Sequence, residues 1–243
     1  MRTAVGAPAE FDDERSRNYE IGWKGSWLQR RLQVNGTLFF VDYDDFQAQG
    51  FDGANITVRN AGSLESKGME LDIVWVPHAN VTLGSAIGYN DAEYSDFSSG
   101  ECTMEQLIAI TGGSPFIPPD CVQDLTGKPL DNAPEWTVSS FLQYDADLTT
   151  ALGWFGRLEY NYTDEFYMAQ DLDENLLNDA AHLVNARLGL RGSARQWEVA
   201  AWVRNLLDEE TFIIGFDVPV LSGYAAINAP PRTWGLTLNY RFE

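Results

Sequence analysis

The chain has 243 residues, with 36 acidic and 16 basic side chains and a formal net charge of −20. This excess of negative charge argues against a general affinity for DNA or RNA, whose phosphates require compensating cations, and against a helix that binds an anionic lipid surface. Hydrophobic residues make up 44% of the chain and aromatic residues 13%, which is too many for a disordered acidic tail. No stretch of the sequence approaches the roughly 20 apolar residues of a membrane-spanning helix, so a helical membrane protein is excluded.

Apolar and polar residues alternate along much of the chain. In one such stretch, Leu158 and Tyr160 alternate with Arg157 and Glu159. Successive side chains of a β-strand point to opposite faces, so this pattern predicts strands with one apolar and one polar side. The chain is therefore predicted to be all-β, an antiparallel up-and-down meander, with a short helix at 104–110 inside a loop. The alternation predicts about nine long strands, at residues 18–28, 32–48, 57–77, 80–96, 134–146, 153–168, 182–193, 196–212 and 232–242.

Long connections alternate with short turns between these predicted strands. In an antiparallel meander the long connections emerge at the same end of the sheet; they lie at about 49–56, 97–133, 169–181 and 213–231. The segments at or near this end hold 22 of the 36 acidic residues and one of the 16 basic residues; they are 42–55, 91–132, 164–179 and 208–224. Short turns at one end and long loops at the other are typical of outer-membrane barrels.

Charged and aromatic side chains indicate which solvent each face of the sheet meets. A soluble antiparallel sheet also alternates apolar and polar residues, but here the polar side carries pairs such as Glu70 with Asp72, which suits a wide, wet lumen. Tryptophans fall toward the strand ends, like the aromatic girdles of outer-membrane barrels; they are Trp23, Trp27, Trp75, Trp154, Trp197 and Trp234. We therefore expect lipid to contact Leu158, Leu188, Leu236 and Leu238, and the lumen to contain Arg157, Glu159, Arg187 and Asn239.

The two cysteines, Cys102 and Cys121, lie in the longest predicted loop. Two cysteines cannot form a disulfide-rich scaffold or a four-ligand zinc site. They could pair in an oxidising compartment, and the alternative is two unpaired thiols. Because the strand count places this loop outside the cell, and outer-membrane proteins mature through an oxidising periplasm, we predict a disulfide between them.

Signals for catalysis or metal binding are absent or weak in the sequence. It contains no Gly-x-Ser-x-Gly, Gly-x-Gly-x-x-Gly or Walker lysine motif, so we predict no enzyme activity, no catalytic residues and no cofactor. His78 and His182 have no His or Cys neighbour and are interpreted as ordinary turn or strand-end residues. Asp171, Asp173 and Asn175 alternate like the start of a calcium loop, but the glycine and glutamate that complete such a loop are missing. We expect a solvated acidic loop here and no metal site.

Several segments, in order and at characteristic spacing, resemble the C-terminal half of a TonB-dependent outer-membrane receptor. They are Phe-Asp-Asp-Glu at 11–14, Tyr-Glu-Ile-Gly-Trp-Lys at 19–24, Asn-Gly-Thr-Leu-Phe-Phe at 35–40, Asn-Ala-Gly at 60–62, Lys-Gly-Met-Glu-Leu at 67–71, Ala-Pro-Glu-Trp at 133–136, Val-Arg-Asn-Leu-Leu-Asp at 203–208 and the stretch from Pro-Arg-Thr-Trp-Gly at 231–235 to Tyr-Arg-Phe at 240–242. The resemblance extends over nearly the whole chain.

This resemblance implies a fold, a location and a function. The family folds as a barrel of about 22 strands around an N-terminal plug, and takes up scarce ligands such as siderophores, cobalamin or saccharides with energy from TonB. It implies the outer membrane of a Gram-negative bacterium, with outer-membrane lipid and lipopolysaccharide, the TonB complex through the plug, and a small-molecule ligand as partners, and no nucleic acid. We interpret residues 1–17 as a lead-in segment and 18–243 as the C-terminal part of the barrel, without the plug or the N-terminal strands.

A nine-stranded excerpt of such a barrel has two unpaired edges. Inward side chains such as Arg157 and Arg191 are also too large and charged for the lumen of a nine-stranded ring. We therefore expect an open, curved sheet with edges near 18–28 and 232–242, unable to close or to transport by itself. Two alternatives remain open: a soluble, lectin-like β-sandwich, and a small self-contained outer-membrane barrel, although bacterial single-chain barrels have even strand numbers.

The ligand of a complete receptor is not specified by any motif in the chain. Aromatic residues in or near the long external loops are the candidates for ligand contact. They are Phe116, Phe166, Tyr167, Phe212, Phe216 and Tyr224.

Overall fold

The alternating sequence folds into one long antiparallel sheet with its loops gathered at one end. The computed structural model describes residues 13–51, 56–60, 62–112, 121–192, 196–218 and 223–242. In chain order the strands are β1 (Arg15–Trp27), β2 (Leu32–Asp44), β3 (Gln47–Phe51), β4 (Ile56–Asn60), β5 (Ser63–His78), β6 (Val81–Asp96), β7 (Gly100–Glu101), β8 (Val122–Gln123), β9 (Trp136–Asp147), β10 (Leu152–Thr163), β11 (Phe166–Tyr167), β12 (Leu177–Asn178), β13 (Ala181–Gly192), β14 (Trp197–Arg204), β15 (Phe212–Val218), β16 (Gly223–Asn228) and β17 (Thr233–Tyr240). The predicted helix is confirmed as α1 (Met104–Thr111), and a 3₁₀ turn spans Glu174–Leu176. Within the described ranges no helix has the length and apolarity needed to cross a bilayer.

Nine of the strands form the main sheet, in the order β1-β2-β5-β6-β9-β10-β13-β14-β17. Each of these strands pairs antiparallel with the next one along the chain, and β1 and β17 are the two edges. The predicted nine-stranded meander, open rather than closed, is therefore confirmed. The other described sheets have two strands each, so they do not form the second layer of a sandwich.

Four predicted strands stop or break earlier than the alternation suggests, three of them where the backbone takes a positive φ. The predicted strand 32–48 ends at Asp44, since Asp45 has φ 56°, and the predicted strand 196–212 ends at Arg204, since Asn205 has φ 52°. The predicted strand 57–77 is broken at Gly62, where φ is 114°, so its first residues belong to the hairpin β3–β4. The fourth, predicted at 153–168, ends at Thr163, and a separate short strand, β11, follows at Phe166–Tyr167. β1 begins at Arg15, three residues before the predicted start. The sheet is thus shorter, and the long-loop end richer in hairpins, than the alternation predicts.

The two faces of the sheet differ in chemistry as the alternation predicts. On one face Arg157 donates to Glu159 Oε1 at 2.7 Å and to Gln143 Oε1 at 3.0 Å, and Arg187 forms an ion pair with Glu198. The opposite face carries leucines that no neighbour covers; exposure reaches 77% at Leu236. These leucines stand opposite other apolar residues across the strands, so this face is continuously apolar.

Aromatic residues border the apolar face at both ends of the strands. At the short-turn end Trp154 packs against Tyr144 with ring centroids 5.1 Å apart, and at the long-loop end Trp136 packs against Tyr89 at 4.7 Å. Trp27, Trp75 and Trp197 also lie at the short-turn end of their strands. Trp154 and Trp136 are on adjacent strands, so the two borders enclose an apolar band like that of an outer-membrane barrel.

The interior of the long-loop end is a hydrophobic cluster separate from the sheet faces. Leu64, Tyr94, Phe97 and Leu125 are each at least 97% buried and contact one another. The hydroxyl of Tyr94 donates to Asp131 Oδ1 at 2.7 Å, which satisfies its polar end. This cluster anchors the long loops to the ends of β5 and β6.

We predict that the register of β17 can be tested with two single substitutions. Leu236→Arg places a charge on the apolar face and is expected to cost about 2–4 kcal/mol of folding free energy if that face meets lipid. Asn239→Lys lies on the polar face, near Glu198, and is expected to cost much less. The measurement is denaturant unfolding in lipid vesicles; equal costs for the two variants would place the register off by one residue.

We predict that Gly62 is less replaceable than another glycine of positive φ in the same loops. A Cβ at Gly62 would lie 1.8 Å from the backbone oxygen of Asp96, whereas a Cβ at Gly127, where φ is 73°, meets nothing within 4 Å. Gly127→Ala should therefore cost roughly 1 kcal/mol from its backbone conformation alone. Gly62→Ala should cost at least about 2 kcal/mol more in thermal or denaturant unfolding, because backbone must move. Similar losses in the two variants would contradict this close approach.

Candidate functional site

A cleft opens at the long-loop end between β6, the segment 127–135 and the segment 164–167. Its volume is about 360 Å³, within the usual range for small-ligand sites. Five carboxylates line it, from Asp91, Glu93, Glu135, Asp164 and Glu165. At its edge, Lys67 forms an ion pair with Asp91 at 3.1 Å. The cleft is therefore acidic and partly neutralised, a surface that suits neutral or cationic groups.

The six aromatic residues that sequence analysis selected do not converge on one site. Phe166 and Tyr167 line the cleft, while Tyr224 binds Glu105 elsewhere in the loops. Phe212 and Phe216 lie on the hairpin β15–β16 and are 42% and 46% exposed. The sixth, Phe116, lies outside the described residues.

A second group of candidate functional side chains lies at the long-loop end, where three segments meet. The first segment runs from β11 to β12 and contains Asp171 and Asp173; the second is the start of α1; the third is the hairpin β15–β16, which contributes Asp217. One carboxylate oxygen from each of the three aspartates lies within 4.8 Å of the others. We call Asp171, Asp173 and Asp217 the aspartate cluster.

Asp173 is held in the aspartate cluster by backbone donors from two segments. Its Oδ1 accepts a hydrogen bond from the N–H of Asn175 at 2.8 Å, and this contact caps the 3₁₀ turn. Its Oδ2 accepts a hydrogen bond at 3.2 Å from the N–H of Met104, the first residue of α1. Thr103 completes the cap of that helix through a reciprocal contact with Gln106. Asp173 thus joins the β11–β12 segment to the helix.

Close packing brings the hairpin β15–β16 onto the same segment. A Cβ at Gly215 would lie 2.6 Å from Cε of Met168 and 3.0 Å from Cδ2 of Leu176. The hairpin therefore packs against these two side chains more closely than a residue with a Cβ would allow. The buried side chain of Asn178 accepts from the N–H of Phe212 at 3.4 Å and donates to its carbonyl oxygen at 3.4 Å. These contacts place Asp217 beside Asp171.

The expectation that Asp171 and Asp173 form a solvated acidic loop was wrong. They are 4% and 1% exposed, because α1 and the hairpin fold over them. Around them, Tyr224 donates to Glu105, and Asn175 donates to Glu105 Oε1 at 2.6 Å and to the Tyr224 hydroxyl at 3.1 Å. Only Asp171 and Asp173 are close to each other in the sequence. Asp217 and Glu105 come from distant segments, and no local sequence pattern indicates that they join the site.

The pKa values of the aspartate cluster shift in two directions, because burial and repulsion raise two of them and hydrogen bonds lower the third. Burial, and then the negative charge of Asp217, raises the pKa of Asp171 to about 8. Burial also raises the pKa of Asp217. Burial acts in the same direction on Asp173, but hydrogen bonds donated by Asn175 and by the N–H of Met104 outweigh it and lower its pKa. Asp171 and Asp217 therefore resist being ionised together, whereas Asp173 is charged.

The two histidines are not part of these sites. Nδ1 of His78 accepts from the N–H of Asn80 at 3.3 Å in a short turn. His182 contacts Tyr160 and Tyr162 on the strands β10 and β13, with its Nδ1 2.9 Å from the Tyr160 hydroxyl. Both are hydrogen-bonded to residues of their own hairpins.

Residues 2–206 match the family model described as TonB dependent receptor-like, beta-barrel. The match spans most of the nine-stranded sheet, whose apolar and polar faces and asymmetric ends are described above. The chain belongs to the TonB-dependent receptor family. Members of this family are transport receptors of the Gram-negative outer membrane.

Solved structures share the fold of this receptor chain at low sequence identity. The ferric yersiniabactin uptake receptor FyuA from Yersinia pestis superposes with a TM-score of 0.72 at 19% identity, covering 95% of this chain and 30% of FyuA. The ferric-catecholate import receptor Fiu from E. coli K12 gives 0.64 at 20% identity, covering 100% of this chain and 30% of Fiu. The copper transporter OprC gives 0.63 at 12% identity, covering 94% of this chain and 31% of OprC.

A curated relative matches a shorter stretch. The ferric-pyoverdine 358 receptor of Pseudomonas putida is 32% identical over 68 residues, which is 26% of this chain and 8% of that receptor. This receptor chain therefore spans about a third or less of the length of each of these relatives.

Cys102 and Cys121 of this receptor chain are bonded in the structure, with their Cα atoms 5.8 Å apart. We predict that the bond forms in the mature protein and stabilises the loop by roughly 3 kcal/mol, since it closes a loop of 19 residues. Thiol labelling of the unfolded, unreduced protein should find no free cysteine, and labelling after reduction should find two. The matched control, Cys121→Ser, should label once with or without reductant. Two labelled cysteines before reduction would contradict the bond.

Proposed function

We propose that this chain is the distal part of an outer-membrane receptor that imports a scarce ligand with energy supplied through TonB. The match of residues 2–206 to the family's barrel carries the proposal. In this proposal residues 18–243 are the C-terminal barrel portion, after a lead-in at 1–17, and a plug and further strands complete the transporter. The unpaired edges that β1 and β17 present among the described strands support it, because hydrocarbon cannot satisfy the backbone donors and acceptors there.

The proposed location is the outer membrane of a Gram-negative bacterium. The apolar face, with leucines exposed by up to 77% and bordered by aromatic residues, would contact lipid. The opposite face, with ion pairs such as Arg191 with Asp145, would line a wet lumen. The acidic loops would lie outside, beside lipopolysaccharide. No enzymatic step is part of this proposal.

The proposed ligand class is the siderophores, ahead of cobalamin and saccharides. The ferric-pyoverdine 358 receptor and the structural relatives FyuA and Fiu are all named for ferric siderophore complexes, which supports this order. Within this chain the acidic cleft around Phe166 and Tyr167 is the proposed contact surface. Its five carboxylates favour complexes that present neutral or cationic groups.

We predict that uptake depends on the gene that encodes this chain and on TonB. Deleting the gene in the source bacterium should abolish uptake of radioactive iron carried by at least one of two probes, a catecholate siderophore or a pyoverdine. The intact gene should restore uptake in a tonB-positive strain and fail to restore it in a tonB-deleted strain. Expression of residues 1–243 alone is the matched control and should not restore iron uptake. Restoration without TonB, or by residues 1–243 alone, would overturn the proposal.

A further inference from the structure

The aspartate cluster contains buried carboxylate oxygens that no donor satisfies. Oδ2 of Asp171 and Oδ1 of Asp217 are inaccessible to solvent and have no hydrogen-bond partner in the described part of the protein. Asp171 is 96% buried, so solvent cannot satisfy this oxygen instead. Buried polar groups in proteins are nearly always paired, so these oxygens require a positive partner, which is either a proton shared between Asp171 and Asp217 or a bound cation.

Among the residues that the structure describes, no side-chain cation supplies that partner. Of the seven ion pairs found between described residues, none includes a member of the aspartate cluster or the adjacent Glu105. The neighbours that do face the cluster are the carboxylate of Glu105, the hydroxyl of Tyr224, the amide of Asn175 and the N–H of Met104. Three carboxylates thus converge from two segments, with a fourth close by.

We propose that Asp171, Asp173 and Asp217 bind a divalent cation, and that this cation is Ca²⁺. Their three ligand oxygens lie within 4.8 Å of one another, the spacing of oxygens that share an ion at 2.3–2.6 Å. All the ligating atoms are oxygens, which favours a hard cation over copper or zinc. Ca²⁺ accepts irregular sites with six to eight oxygens, whereas Mg²⁺ requires a near-ideal octahedron and retains its waters.

Asp173 can serve the ion and keep its present hydrogen bonds. Each carboxylate oxygen has two lone pairs, so the oxygens that accept from Asn175 and Met104 retain capacity for a metal. Asp171 and Asp217 contribute the two oxygens that accept no hydrogen bond.

The cation would fasten three external segments to one another. Asp171 and Asp173 belong to the β11–β12 segment, Asp217 belongs to the hairpin β15–β16, and Asp173 also holds the start of α1. Ca²⁺ binding would therefore rigidify the outer surface of the protein next to the cleft. This inference concerns loop structure and does not depend on which ligand is imported, or on whether import occurs.

The test measures Ca²⁺ binding to the protein as its gene encodes it, purified in detergent and stripped with EGTA. Wild-type protein should bind Ca²⁺ with a Kd of about 10⁻⁴–10⁻³ M, typical of extracellular modules, and its thermal midpoint should rise with Ca²⁺ concentration. Asp217→Asn and Asp171→Asn should each weaken binding by more than about tenfold, since each removes one ligand charge. Asp179→Asn is the matched control, because Asp179 is an exposed aspartate in the same region and should leave binding unchanged.

The two variants also separate a metal site from a purely structural carboxyl pair. Without Ca²⁺, removing one negative charge from the cluster should leave the thermal midpoint equal to or above that of the wild type. With 10-fold more Ca²⁺ than the wild-type Kd, the order should reverse, because only the wild type gains stability. Wild-type protein that shows no Ca²⁺-dependent shift would overturn the proposal. So would an Asp217→Asn variant that retains the full wild-type shift.

Discussion

Each strand of the main sheet carries an apolar side and a polar side while its backbone hydrogen bonds stay within the sheet. Arg157 and Leu158 are adjacent in the chain, yet one joins an ion-paired polar face and the other an apolar face. The period of two in the sequence is the direct result of this arrangement. The two faces and two ends of the sheet also determine where other features lie. The aromatic residues border the apolar face, the short turns lie at one end, and the carboxylates gather in the loops at the other end.

The regular part of the fold could be predicted from the sequence, because alternation is a local signal. All nine strands of the sheet and the short helix were found where the pattern placed them. The main errors lie at the loop ends. At Asp45, Gly62 and Asn205 a positive φ stops a strand whose side-chain pattern continues. β10 also ends early, at Thr163 and not at 168. Nothing in the alternation of side chains reports the sign of a backbone dihedral.

The candidate sites were harder to predict because they depend on contacts between distant segments. Asp171 and Asp173 form a visible local pattern, but the sequence gives no indication that α1 and Gly215 cover them or that Asp217 joins them. The distribution of the aromatic candidates, with Phe166 at the cleft and Phe216 on an exposed hairpin, likewise follows from loop packing. Residue type identified candidate site residues, but only the three-dimensional fold shows which of them lie in the same site.

The gathering of carboxylates at one end of the sheet has a kinetic consequence for whatever approaches from that side. The four segments at this end hold 22 acidic residues and one base, and their net charge sets up a negative potential that extends outward by about one Debye length, roughly 8 Å at physiological ionic strength. The potential raises the association rate constants of cationic molecules and lowers those of anionic molecules. High ionic strength reduces this dependence on charge, and low ionic strength increases it.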